Sequence, residues 1–201
     1  GAIQIDSGAQ INALQQNSYV ALVAPSITQG GTINVDGSAA FVAANNLTMT
    51  MNQGLFDIQV SVGTDDANGI VHTGTTGGGT DDSLSVNHKI YMVAVPKNEA
   101  LTMLLGGTIG YDATVAGYQN GQIVLGAGTL GIDEIPDENG TSVTILNTDS
   151  NILIDDAHFT SSVTANAMND VFVKASSGNV AFDGDLNVES FYGDIGLTAD
   201  E

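Results

Sequence analysis

Cysteine is absent from the 201 residues, which excludes disulfides, thiolate metal sites and cysteine nucleophiles together. Arginine is absent too, and the only cationic side chains are Lys89, Lys97 and Lys174, against 23 acidic residues. The resulting net charge of -20 repels phosphate backbones and anionic lipid, so no nucleic acid partner is expected. Tryptophan is missing and proline occurs three times. No apolar run approaches the ~18 residues of a membrane-spanning helix, and no basic stretch followed by an apolar one opens the chain. Helical patterning is nearly absent as well. Its best candidate, "PKNEALTMLL" from Pro96 to Leu105, alternates at Leu101, Met103 and Leu105 and is read as strand.

What is present is an apolar fraction of 42%, enough for one core, and residues 1–201 are read as a single domain belonging to a longer chain. Glycine is abundant, and Asn, Asp, Thr and Ser fill the gaps between apolar runs, which favours many turns over long helices. Period-2 alternation marks short strands: "LTMTM" at Leu47 to Met51, "FDIQVSV" at Phe56 to Val62, and the pairs Val180 and Phe182, Leu186 and Val188, Ile195 and Leu197.

The strand signals return. Ile11 and Ile33, the runs beginning at Tyr19 and Ala40, and Ile27 and Leu47 are each separated by about 20 residues, the mark of a solenoid with three short strands per turn. A sandwich or up-and-down barrel also shows many short strands, but depends on hairpins, and few Asn-Gly or Asp-Gly turns sit between the alternating runs. "KIYMVAVP" (Lys89 to Pro96) reads like "SYVALVAP" (Ser18 to Pro25), and "GGTIGYD" (Gly106 to Asp112) like "GGTINVD" (Gly30 to Asp36). "GQIVLGAG", Gly121 to Gly128, stands where "GSAAFVAA" stood. Between the copies, residues 63–87 have little to bury and are expected to form a loop or hairpin insertion outside the repeat. A second acidic loop is expected at "DEIPDENG", Asp133 to Gly140.

Chemistry is sparse. Asp155, Asp156 and His158 in "IDDAHF" are the nearest approach to an acid pair beside a histidine, as glycoside hydrolysis requires, although Asp is ordinarily a solvated loop residue. A lyase mechanism needs a base and substrate-binding cations, which three scattered lysines supply poorly. His72, near the start of the expected insertion, and His88, just after it, are candidates to approach each other, without a visible third metal ligand. Calcium is a better cofactor candidate than a transition metal, since "GTDDANG", "GGTDDS", "IDEIPDENG" and "FDGDLN" are rich in oxygen ligands, yet none has EF-hand spacing. "TGTTGGGT" lacks the lysine of a phosphate-binding loop. No catalytic, cofactor-binding or metal residue is assigned.

Two stretches carry a family resemblance: "YVALVAPSITQGGTINVDGSAAFVAA" and "SGNVAFDGDLNVESFYGDIGLTAD". The first resembles the later part of the secretion domain of filamentous haemagglutinin-like exoproteins, where an "aLvAp" strand, an "N-x-G-x-I" turn and a "G-G-x-V-x-L-A-A" strand follow in order. The second is similar to the "G-D-I-x-L-x-A" repeats of the shaft beyond it. The early "N-P-N-G-I" signature is missing, and "DANGI", Asp66 to Ile70, follows the "aLvAp" strand instead of preceding it. The resemblance implies a right-handed parallel β-helix, exported from a Gram-negative bacterium by an outer-membrane partner transporter. The expected role is then a non-enzymatic shaft segment of a secreted surface adhesin, with a host or biofilm glycan or protein as receptor. A carbohydrate-active β-helix enzyme, or the subunit of an extracellular filament, are the alternative expectations.

Overall fold

The computed structural model describes residues 1–52, 54–78, 88–98, 100–112, 121–135, 140–145 and 149–199. Every regular element among them is a β-strand. In chain order these are β1 (Ala2–Ile5), β2 (Gln10–Ala24), β3 (Ser26–Gln29), β4 (Thr32–Ala43), β5 (Asn46–Asn52), β6 (Leu55–Val62), β7 (Ile70–His72), β8 (Thr75–Gly78) and β9 (Lys89–Ala94). They continue with β10 (Leu101–Tyr111), β11 (Gln122–Ala127), β12 (Thr129–Ile135), β13 (Gly140–Ile145), β14 (Ser150–Phe159) and β15 (Ser162–Ala167). The last four are β16 (Val171–Ala175), β17 (Ala181–Phe182), β18 (Leu186–Ser190) and β19 (Ile195–Ala199).

Fifteen of the described strands form one sheet whose pairings are all parallel, arranged as three ladders. The first joins β1, β3, β7, the start of β10, the start of β14, β16 and β19. The second joins the starts of β2 and β4, then β8, the ends of β10 and β14, and β17. The third joins the ends of β2 and β4, then β9, β11, β15 and β18. The chain visits the ladders in the same order each time, so like positions fall over like positions: Ile27 on Ile70, Phe41 on Met92 on Leu125 on Ala165, Ile152 on Val171 on Ile195. Pairing with the equivalent strand of the next circuit, at about 4.8 Å, lets these rows merge into one buried core. The core thins towards both ends, where Ile3, Ile11 and Val20 on one side and Val180, Phe182 and Val188 on the other are only partly buried.

The expected placement of the insertion differs from the structure. Residues 63–87 are not outside the repeat as a whole, because β7 and β8 within them belong to the first and second ladders; residues 79–87 lie outside the described residues. Gly63, Gly74 and Gly77 within this stretch stand where backbones approach closely. Gly77 has φ 133, and a Cβ built on it would stand 1.7 Å from the Gly110 carbonyl oxygen.

The excursions lie elsewhere. β5 with β6, and β12 with β13, are antiparallel hairpins that leave the chain just after its third-ladder strands β4 and β11. The alternating runs at Leu47 to Met51 and Phe56 to Val62 are therefore hairpin strands. β6 pairs antiparallel with β12, and the two hairpins make a single four-stranded sheet in the order β13, β12, β6, β5. Asp133 of the expected acidic loop lies in β12 and Gly140 begins β13, while residues 136–139 lie outside the described residues. This small sheet covers the other face of the third ladder, closing Phe56, Ile58 and Ile132 over Ala40, Val42, Tyr91, Val93 and Val124 in a second core. All six residues of β9 are buried as a result.

Candidate functional site

Asp155 and Asp156 lie where β14 crosses from the first ladder to the second. The register shifts there, Leu105 facing Ile154 and Gly107 facing Ala157, so the two aspartates bulge opposite Gly106. Asp156 takes the left-handed conformation, φ 49, which Asp tolerates better than most residues. Both carboxylates serve the following circuit. Asp155 accepts from the Ser176 amide (3.0 Å) and hydroxyl (2.8 Å). Asp156 accepts from the Ser177 amide (3.1 Å) and hydroxyl (2.7 Å) and from the Gly178 amide (2.9 Å). The Ser177 hydroxyl foremost, with these amides, holds the Asp156 carboxyl below its ordinary range. The pair borders a shallow groove of about 340 Å³ floored by Val71, Leu104 and Leu153.

His158 is turned away to an exposed contact with Asp183 (Nε2 to Oδ2, 3.0 Å). The structure thus brings Asp155 and Asp156 to one corner and gives the histidine another carboxylate. Ser176 and Ser177 were missed in the sequence, although "SSG" follows "DD" by the length of one circuit, and Asp183 was named only as part of the acidic turn "FDGDLN".

His72 and His88 occupy different corners. His72 ends β7 and is fully buried, with Nδ1 2.7 Å from the Gly106 carbonyl and Nε2 2.9 Å from the Thr76 hydroxyl. A carbonyl only accepts, so Nδ1 carries the proton and Nε2 accepts from Thr76, whose oxygen in turn accepts from Gln29 Nε2 at 3.2 Å. Burial lowers the His72 pKa to about 4, against a smaller opposing effect of the Gly106 carbonyl. His88, just before β9, contacts Asp36 (3.1 Å), and its ring meets Tyr111 edge-on at 5.5 Å. The Tyr111 hydroxyl donates to the Gly37 carbonyl at 2.6 Å, and burial, helped by Asp36, pushes its pKa up. No group of three His, Asp or Glu able to hold a metal occurs among the described residues. Of the acidic turns, "GTDDANG" uses Asp65 to pair with Lys97 (3.2 Å) and Asp66 to accept from the Asn68 amide (3.0 Å).

A polar cluster that sequence reasoning passed over joins the small sheet to the large one. Lys89, first residue of β9, points away from the main core and places Nζ 2.6 Å from Oε2 of Glu134 on β12. The two side chains are 7% and 1% exposed. The Tyr91 hydroxyl donates to Glu134 Oε1 (3.2 Å) and faces the Phe56 amide (3.4 Å), while Asp57 accepts from the Glu134 amide (2.9 Å). Burial, then the neighbouring Glu134, raises the Tyr91 pKa, so its phenol stays protonated. The only signal in the sequence was a lysine in step with Tyr91 and Val93 on one row of a strand whose rows are both apolar.

No protein-family model, no curated protein and no solved structure matches the chain.

Proposed function

We propose that the three ladders are the faces of a right-handed parallel β-helix, and that this helix is a non-enzymatic shaft segment of a secreted surface adhesin resembling the filamentous haemagglutinin-like exoproteins. The observation that supports this reading best is the repeated in-register stacking of apolar rows around one core. Stiffness and resistance to proteases follow from parallel pairing along the whole wall. The protein reaches the surface of a Gram-negative cell through an outer-membrane partner transporter, and its exposed corners and the outer face of the small sheet meet glycan or protein receptors.

The test is a direct comparison of binding with turnover. The immobilised protein should retain cells or glycans, and incubation with neutral and acidic polysaccharides should release no new reducing ends or unsaturated products. Turnover lost in Asp155→Asn or Asp156→Asn would replace the adhesin with a carbohydrate-active enzyme.

A filament subunit is the second reading, favoured by one feature. Ile195 and Leu197 continue the buried row of Val171 and Val173 and, among the described residues, are 53% and 74% exposed, an apolar row onto which a strand of another copy can stack. Negative-stain microscopy of the isolated protein should show end-to-end rods if this reading holds, and Leu197→Lys should disperse them.

A further inference from the structure

We propose that Lys89 and Glu134 condense to an intramolecular amide, a covalent tie between the wall and the small sheet in a chain that has no cysteine to supply one. The reacting groups are already in contact, Nζ to Oε2 at 2.6 Å, and both side chains are shut off from water. They border the second core through Tyr91, whose hydroxyl reaches both Glu134 and the Phe56 amide. A site that excludes water favours an amide over the ion pair, because condensation removes two buried charges and the released water leaves. It also protects the product from hydrolysis.

The atoms balance without a co-reactant. One proton passes along the short contact from the ammonium Nζ to Oε2, leaving a neutral amine beside a carboxylic acid. The Nζ lone pair then attacks Cδ of Glu134, and negative charge develops on Oε1. That oxygen is the one to which Tyr91 donates, so the phenol is placed to hold the oxyanion. A second proton moves from nitrogen to the Oε2 hydroxyl, the Cδ–Oε2 bond breaks, and water departs. The ammonium and carboxylate have become an amide and one water.

The bond would close a loop between residues 45 positions apart, joining β9 to the second hairpin. It does not depend on the adhesin reading.

The test is the intact mass of the purified full chain. It should fall below the sequence mass by one water, and a proteolytic digest should yield a branched peptide joining the Lys89 and Glu134 segments. Lys89→Arg keeps the charge pair but cannot form the bond, and should return to its full sequence mass with an unchanged β-rich circular dichroism spectrum. Its melting temperature should drop by roughly 10 °C, the loss expected when a cross-link of this span is removed. A wild-type chain at full sequence mass overturns the proposal. So does a Lys89→Arg chain that is still one water lighter, since dehydration would then lie elsewhere.

Discussion

A histidine with no exposed surface has to be neutral or costly, and His72 is held neutral by a one-way chain of donors running from Gln29 through Thr76 to the Gly106 carbonyl. Its pKa of about 4 lies below the unfolded value of 6.5, so the unfolded chain binds the proton first as pH falls. The stability that this site contributes is complete above about pH 6.5 and is lost progressively down to about pH 4, an amount of about 3 kcal/mol. Its clearest check is the imidazole NMR shifts of His72, which should report a neutral ring protonated at Nδ1 down to about pH 5. Phe41 offers a second residue-scale prediction. It is fully buried between Leu22 and Met92 in the third ladder, and Phe41→Ala should cost about 4 kcal/mol in denaturant unfolding.

Among the strands, glycine decides which stretches can join a ladder. Gly77→Ala should lower stability by roughly 3 kcal/mol or more, because φ 133 and the Gly110 carbonyl leave no space for a methyl group. Gly8→Ala, at φ 88 with nothing within 4 Å, should cost only about 1 kcal/mol, and a pair of urea titrations separates the two. The same contrast shows why the sequence was legible in part. Ile11 and Ile33 do pair, and "GGTINVD" does share a ladder with "GGTIGYD", because the two segments carry the same Thr-Ile pair at the same ladder positions. "KIYMVAVP" was matched to "SYVALVAP" one residue out of step. The ladder places Ile90 in line with Val20, not Tyr19, and a slip of one exchanges the faces. With both sides of β9 covered, both of its rows are apolar and the period carries no phase. The spacing of Ile27 and Leu47 misled for another reason: Ile27 meets Ile70, and Leu47 belongs to a hairpin closed by a tight turn at Gly54 that lacks the usual Asn-Gly or Asp-Gly signal. Of the candidate site, the corner aspartates could be read but their partners could not, since Ser176 and Ser177 acquire meaning only once successive circuits are superposed.

Over the whole molecule, protection should grade from the middle to the ends. Amide hydrogen exchange should be slowest in β9 and β11, which have paired strands on both sides and a sheet above, and fastest in β1 and β19, each with one described partner strand. Uniform protection along the chain would contradict a core built by nearest-neighbour stacking.

The union of β6 with β12 sets a timetable. Gln59 finds Gly131 and Asp133 only after two further circuits have been laid down between them. A polypeptide made amino end first therefore carries its early hairpin with one side bare, a temporary adhesive margin that later synthesis must close. Delay at that stage is the moment of greatest exposure to unwanted strand pairing.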